Sequence, residues 1–230
     1  AEHALILGIS GRYEFKNKGI DVFIDAMGQL NRNNGLGKEV LAFILVPAGH
    51  AGANKELLHN LELPYQAVTS TDLYLTHYLN DSANDPVMNR IRAQKLRNSE
   101  EDKVKIFFVP SYLNGDDGVL NMPYYDLLVG MDLTAFPSYY EPWGYTPLES
   151  LAFKVPTITT TLAGFGLWVK EHYNMNHPGI EVIHREDGDA SNVATAIAEW
   201  VKNYTQVGET EMQKDRDNAK DVSRIALWDN

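Results

Sequence analysis

The chain has 230 residues, a formal net charge of −11 and 44% hydrophobic residues, and it contains no cysteine. The acidic balance argues against nucleic acid and anionic membranes as partners, and the lack of cysteine excludes disulfides and thiolate metal sites. No run approaches the roughly 18 apolar residues of a membrane span and no secretory signal pattern is present, so we expect a cytoplasmic protein with no membrane contact.

Strand-like and helix-like segments alternate along the chain, which favours an α/β fold with a mostly parallel sheet. Residues 4–9 predict a first strand, and apolar side chains at helical spacing over residues 19–30 predict a helix after it. The later predicted elements are buried strands over 40–46 and 104–109, short helices between 50 and 102, a strand over 132–136, a short helix over 148–153, and helices over 190–201 and 209–227. No repeat or linker divides the chain, so we predict one domain over residues 1–230. Its start close to a strand and its end without a helix cap suggest half of a larger protein.

Two glutamates, Glu141 and Glu149, stand eight residues apart across a predicted strand-to-helix turn. Gly144 permits close approach to a ligand, and Thr146 and Pro147 are typical of an N-cap and a first helical residue. The unpaired N–H groups of such a helix start favour phosphate. The alternative is structural: Glu149 closes a capping box with Thr146, and Glu141 is a solvated loop residue.

Aromatic side chains cluster around Glu141 at Tyr139, Tyr140, Trp143 and Tyr145. Aromatic rings suit the faces of sugars, although buried aromatic packing explains the same composition.

A basic loop over residues 10–19 follows the first predicted strand, the position where open α/β sheets bind ligands. Arg12 can grip a diphosphate through its planar fork, and Lys18 can add a point charge without a metal. The alternative is a solvated loop, since no glycine-rich phosphate motif is present.

Together these segments resemble the glycogen synthases of the animal and fungal type, which are retaining glucosyltransferases. The similarity lies in the loop over 10–19, the segment 76–91 with Asp85-Pro86, the two-glutamate segment over 136–149, and residues 156–166. The resemblance implies a Rossmann-like domain with helices on both faces of its sheet, one half of a GT-B glycosyltransferase. This chain resembles the C-terminal, nucleotide-sugar-binding half, so the N-terminal acceptor half is absent.

The resemblance also implies roles for individual residues. Glu141 is expected to face the transferred glucose, while Arg12 and Lys18 contact the donor diphosphate. The remaining expected contacts are Tyr112 stacking on the base, Tyr124 near the phosphates, Glu149 on the ribose hydroxyls, Trp143 in the pocket, and Gly144, Tyr145 and Thr146 mainly through their backbone. At position 112 the family commonly has Phe, and the tyrosine here retains the ring.

We therefore predict the donor-binding domain of an enzyme that transfers glucose from UDP-glucose to the non-reducing end of an α-1,4-glucan. We predict no metal and no other cofactor, and we expect the 230-residue chain alone to be inactive. The alternatives are a related glucosyltransferase that uses ADP-glucose, and a non-catalytic carbohydrate-binding module. The expected partners are UDP-glucose or UDP, and glycogen through the missing half.

The chain departs from the family pattern in two places. Residues 210–220 have mixed charge where the family has an arginine-rich helix, so we do not expect activation by glucose 6-phosphate. The stretch from 47 to 76 is shorter than the helical hairpin that serves subunit assembly, which leaves a homo-oligomer of the full-length protein open.

Overall fold

The computed structural model describes residues 4–63, 74–173 and 179–226. The strands are β1 (Ala4–Ser10), β2 (Glu39–Leu45), β3 (His50–Ala53), β4 (His77–Leu79), β5 (Val104–Val109), β6 (Leu133–Ala135), β7 (Thr157–Thr160) and β8 (Ile180–Ile183). The helices are α1 (Ile20–Asn31), α2 (Lys55–Glu62), α3 (Pro86–Ala93), α4 (Tyr124–Val129), α5 (Tyr145–Ala152), α6 (Gly164–His172), α7 (Ala190–Tyr204) and α8 (Glu209–Ile225).

Six strands form one parallel sheet in the order β5-β2-β1-β6-β7-β8, and β3 pairs with β4 in a small antiparallel ribbon. β2 and β5 lie on one side of β1, and β6, β7 and β8, which come later in the chain, lie on its other side. The strand order therefore reverses between β1 and β6, the position where parallel sheets bind ligands at their carboxyl ends.

Helices cover both faces of the sheet, as the sequence resemblance implies. Alternate strand residues such as Leu7 and Ile44 pack with α1, α3 and α7 in the main core. The opposite face packs in two clusters, one with α4 around Leu45 and Met131, and one formed by α5, α6, β8 and α8. Burial on both faces explains why β1, β2 and β5 are nearly continuous apolar runs.

The predictions for the long elements are confirmed to within a few residues, and the strand over 104–109 has the predicted bounds. The predicted C-terminal helix corresponds to α8, and its last predicted residue, 227, lies outside the described residues. Residues 64–73, which belong to the stretch from 47 to 76 that is shorter than in the family, also lie outside them. The structure adds β3, β4, α4, β7, α6 and β8, which the sequence analysis did not predict. None of the helices in the described ranges is long and apolar enough to cross a bilayer.

The start of α1 is pressed against the segment that follows β6. Gly19, the residue before α1, has a φ of 68°, and a Cβ at this position would lie 1.8 Å from the carbonyl oxygen of Pro137. The backbone N–H of Tyr139 donates to the carbonyl of Asn17 at 2.7 Å. This close approach requires glycine, and it joins the basic loop to the segment that leads into the two glutamates.

Candidate functional site

A cleft of about 330 Å³ opens at the carboxyl ends of β1, β2 and β5, beside the reversal of strand order. Ser10 and Gly11 line it where β1 ends, and Tyr112, Tyr124 and Thr146 line it from three other segments. Three of the predicted donor-binding residues are thus brought together around one cavity.

The two tyrosines of this cleft differ in their environments. Tyr112 is 78% exposed, so most of its ring is available to stack on a planar ligand. Tyr124 is partly buried, and its hydroxyl lies 2.7 Å from the Ser10 hydroxyl oxygen. Burial raises the pKa of Tyr124 to about 12, so the hydroxyl remains protonated at neutral pH and can donate a hydrogen bond.

Lys18 and Glu141 form an ion pair beside the cleft, with both side chains largely shielded from solvent. The Cδ atom of Lys18 lies 3.9 Å from the position that a Cβ on Gly11 would occupy, which places the lysine next to a cleft-lining residue. The Glu141 backbone is held by two hydrogen bonds, from its N–H to Leu162 at 3.3 Å and from the N–H of Gly164 at 3.0 Å. The pair therefore sets a carboxylate and an ammonium group in defined positions in a partly desolvated setting.

Helix α5 begins earlier than the sequence predicts. Gly144, with a φ of 107°, is its N-cap, Tyr145 is its first residue and Pro147 lies at the third position. The prediction of Thr146 as N-cap, and with it the capping box to Glu149, is wrong. The left-handed conformation of Gly144 allows the chain to turn before Thr146, and the bond from Phe165 N–H to the Trp143 carbonyl fixes that turn.

Glu149 instead faces the tyrosines of α4. Its carboxylate accepts a hydrogen bond from Tyr125 and lies close enough to Tyr124 to raise the pKa of that phenol. Burial raises the pKa of Glu149 above its usual range, and the Tyr125 bond opposes that shift only in part. Glu149 is thus a half-buried acceptor adjacent to a residue of the cleft wall, and its contact to ribose hydroxyls stays a prediction.

Arg12 and Trp143 lie outside the cleft wall. Arg12 has a 78% exposed side chain, and one of its guanidinium nitrogens pairs with Glu14 at 2.9 Å. The Trp143 ring packs against Phe165 and Trp168, with ring centroids 5.8 and 6.2 Å away, as in the alternative of aromatic packing. Any contribution of Trp143 to a pocket would therefore come from its backbone.

Ser10 is a cleft residue that the sequence analysis did not single out. It ends β1 and orients Tyr124, a residue 114 positions away in the chain. A polar residue that terminates a buried parallel strand is the available signal, because carboxyl strand ends face the ligand edge of such sheets.

Comparison of the sequence with known proteins shows its family. Residues 1–70 and 61–230 match the family described as Glycogen synthase. The chain is 29% identical over 290 residues to Glycogen [starch] synthase isoform 2 of Saccharomyces cerevisiae, covering 99% of the chain and 41% of that protein. It is 27% identical over 278 residues to the liver Glycogen [starch] synthase of Rattus norvegicus, covering 99% of the chain and 40% of that protein.

The chain thus spans about 40% of the length of the curated relatives it matches. Among solved structures, it is similar to WaaG, a glycosyltransferase involved in lipopolysaccharide biosynthesis, with a TM-score of 0.49 and 16% identity over 96% of this chain and 43% of that one.

Proposed function

Since this chain belongs to the glycogen synthase family, we propose that it is the donor-binding half of a retaining GT-B glucosyltransferase. The reaction would transfer glucose from UDP-glucose to the non-reducing end of an α-1,4-glucan. The observation that carries the proposal is the cleft at the carboxyl edge of the parallel sheet, with Tyr112 at its rim and the Lys18–Glu141 pair beside it. The setting would be cytoplasmic and the acceptor glycogen.

The charges around the cleft suit the departure of a nucleoside diphosphate. As the glycosidic bond to the leaving phosphate breaks, negative charge grows on the diphosphate and positive charge on the sugar ring. Lys18 and Arg12 would neutralise the diphosphate together with the first N–H groups of α5. A fixed array of donors stabilises such charge without reorganisation in the reaction step.

Glu141 is proposed to act on the sugar rather than on the nucleotide. Its backbone is held on both sides, so the carboxylate can accept hydrogen bonds from glucose hydroxyls in a fixed orientation. In a front-face displacement the leaving phosphate would take the acceptor proton, and Glu141 would stabilise the developing positive charge without forming a covalent bond. Binding of the diphosphate to Lys18 would release the carboxylate from its present ion pair.

The proposal also has to be tested for the donor nucleotide, which is UDP in the proposed function and ADP in the first alternative. Titration calorimetry with UDP, UDP-glucose and ADP measures it directly, and the proposal expects binding of UDP with a preference over ADP. Tighter binding of ADP would favour the ADP-glucose alternative. Retention on glycogen with no affinity for either nucleotide would favour a carbohydrate-binding module and overturn the proposal.

Nucleotide binding and turnover should separate in this chain. Holding both reactants in place accounts for roughly 7–11 kcal/mol of a barrier, and the acceptor side is proposed to lie in the other half of the protein. We therefore expect the 230-residue chain to bind UDP-glucose but to transfer no detectable glucose to glycogen. Transfer at the rate of a complete relative would contradict this division of roles.

A further inference from the structure

The loop over residues 110–123, between β5 and α4, forms part of the cleft wall. Tyr112 and Leu113 line the cleft from this loop, and Tyr124 lines it from the first residue of α4. The two ends of the loop are joined, because the N–H of Tyr124 donates to the Leu113 carbonyl at 3.0 Å. The conformation of the loop therefore sets where both tyrosines stand in the cleft.

One carboxylate closes the turn over residues 117–121 in this loop. Asp117 accepts hydrogen bonds from the N–H groups of Val119, Leu120 and Asn121 at 3.0, 2.9 and 2.8 Å. Its side chain is fully buried. Burial favours the neutral acid, but the three N–H donors outweigh it, and the pKa of Asp117 is lowered. The carboxylate is thus ionised at neutral pH and keeps the turn closed.

His77, the first residue of β4, connects this turn to the rest of the domain. It is fully buried, and its Nε2 lies 2.8 Å from the Asp117 carbonyl oxygen and 3.8 Å from Oδ1 of the same residue. A carbonyl oxygen only accepts, so Nε2 is the donor, and in the neutral ring Nδ1 accepts from the Thr76 hydroxyl at 2.9 Å. The His50 ring packs edge-on against His77, with centroids 4.7 Å apart. The imidazole is therefore fixed by both nitrogens and by a neighbouring ring, and it offers the loop a donor at a set position.

The loop does not keep its shape by local preference alone. Asn121 has a φ of 51°, a left-handed conformation that is uncommon for residues other than glycine. Gly118, with a φ of 85°, packs so closely on β3 that a Cβ there would lie 3.4 Å from the Cβ of Ala53. A backbone of this kind persists only where its surroundings determine it. The buried contact between His77 and Asp117 is one such external constraint.

Neither His77 nor Asp117 lies in the cleft wall, so a role of this pair in binding is indirect. We infer that His77 is a positioning residue for the donor nucleotide, because it holds Asp117 and with it the loop that carries Tyr112. A ligand that binds only one form of a loop loses apparent affinity in proportion to the fraction of molecules that leave that form. That the ligand is a nucleotide rests on the proposed function.

The test compares two amides at position 77 by calorimetric titration of UDP and by amide hydrogen exchange in NMR. In His77→Gln the longer side chain can still donate to the Asp117 carbonyl, whereas in His77→Asn the shorter one retains only the contact near Thr76. His77→Asn should bind UDP about tenfold more weakly, as for a loop in its competent form about a tenth of the time, and His77→Gln should stay within about twofold of the parent chain. Without UDP, the amides of residues 119–121 should exchange faster in His77→Asn and keep their protection in His77→Gln.

Two further variants make the result specific. Val201→Ala controls for a general loss of stability, because Val201 is fully buried in α7 and is not in the cleft wall. Asp117→Ala removes the carboxylate that closes the turn and should also weaken UDP binding, so it tests the loop even if His77→Asn does not fold.

The outcomes separate this inference from the proposed function. Equal UDP affinity in the parent chain and in folded His77→Asn or Asp117→Ala would overturn the inference, as would an equal loss in Val201→Ala. Unchanged exchange of residues 119–121 in His77→Asn would overturn it as well. Absence of UDP binding in the parent chain would instead overturn the donor-site proposal, and the exchange measurement would then decide alone whether His77 holds the loop.

Discussion

Replacing Tyr112 by alanine tests nucleotide stacking with little disturbance to the fold. The side chain is 78% exposed, so truncation leaves no buried cavity, and an exposed substitution of this kind changes the free energy of unfolding by less than about 0.5 kcal/mol. Stacking of a base on an aromatic ring contributes about 1–3 kcal/mol. The affinity for UDP should therefore fall by about 5–150-fold, while the unfolding temperature stays the same.

Calorimetric titration of UDP into the parent chain, Tyr112→Ala and Tyr112→Phe measures this effect. Tyr112→Phe should bind like the parent chain, since the ring remains. Tyr78→Ala provides a control at an exposed tyrosine that is not in the cleft wall. Equal UDP affinity in the parent chain and Tyr112→Ala would refute the assignment of this cleft wall to the base, and an equal loss in Tyr78→Ala would show that the effect is not specific.

Three further substitutions address the diphosphate, the ribose and the pH dependence of stability. Arg12→Ala should weaken UDP binding by about 1.5–3 kcal/mol without loss of stability, because the exposed pair with Glu14 contributes little; unchanged affinity would exclude Arg12 from the diphosphate site. Burial raises the pKa of Glu149, so its ionisation destabilises the fold as the pH rises through the folded-state pKa. Glu149→Gln should therefore be at least as stable as the parent chain at pH 8 in thermal unfolding, yet bind UDP more weakly; a large loss of stability would restore a structural role. Burial likewise raises the pKa of Asp215 from 3.8 to about 6, so the parent chain should lose at most about 3 kcal/mol of stability as the pH rises from 4 to 7. Asp215→Asn should remove most of this loss in urea unfolding, and an identical pH profile in both proteins would contradict the assignment.

The sequence by itself determined the main layers of the fold. β1, β2 and β5 are nearly continuous apolar runs closed by glycine, proline or polar residues, a pattern that a strand buried on both faces produces. The helical spacing of apolar residues in α1 and α7 was equally clear, because each helix buries one face against the sheet. β7 was missed because its four residues, TITT, include only one aliphatic side chain and so lack the apolar run that marks the other buried strands, and only the packed structure provides Thr157 with a hydroxyl partner in Thr134.

The basic loop over 10–19 and the two-glutamate segment over 136–149 could also be identified from the sequence, but the contacts between them could not. Lys18 and Glu141 are 123 residues apart, and no local pattern reports that they pair. They pair because β1 and β6 are parallel neighbours, so that the carboxyl ends of both strands lie at one edge of the sheet. Similarly, local propensity favoured Thr146 as the N-cap, whereas the bond from Phe165 to Trp143 and the left-handed Gly144 moved the start of α5 forward. Short-range preferences determine which residues form strands and helices, but long-range backbone contacts decide where a turn ends and which charges share a cleft.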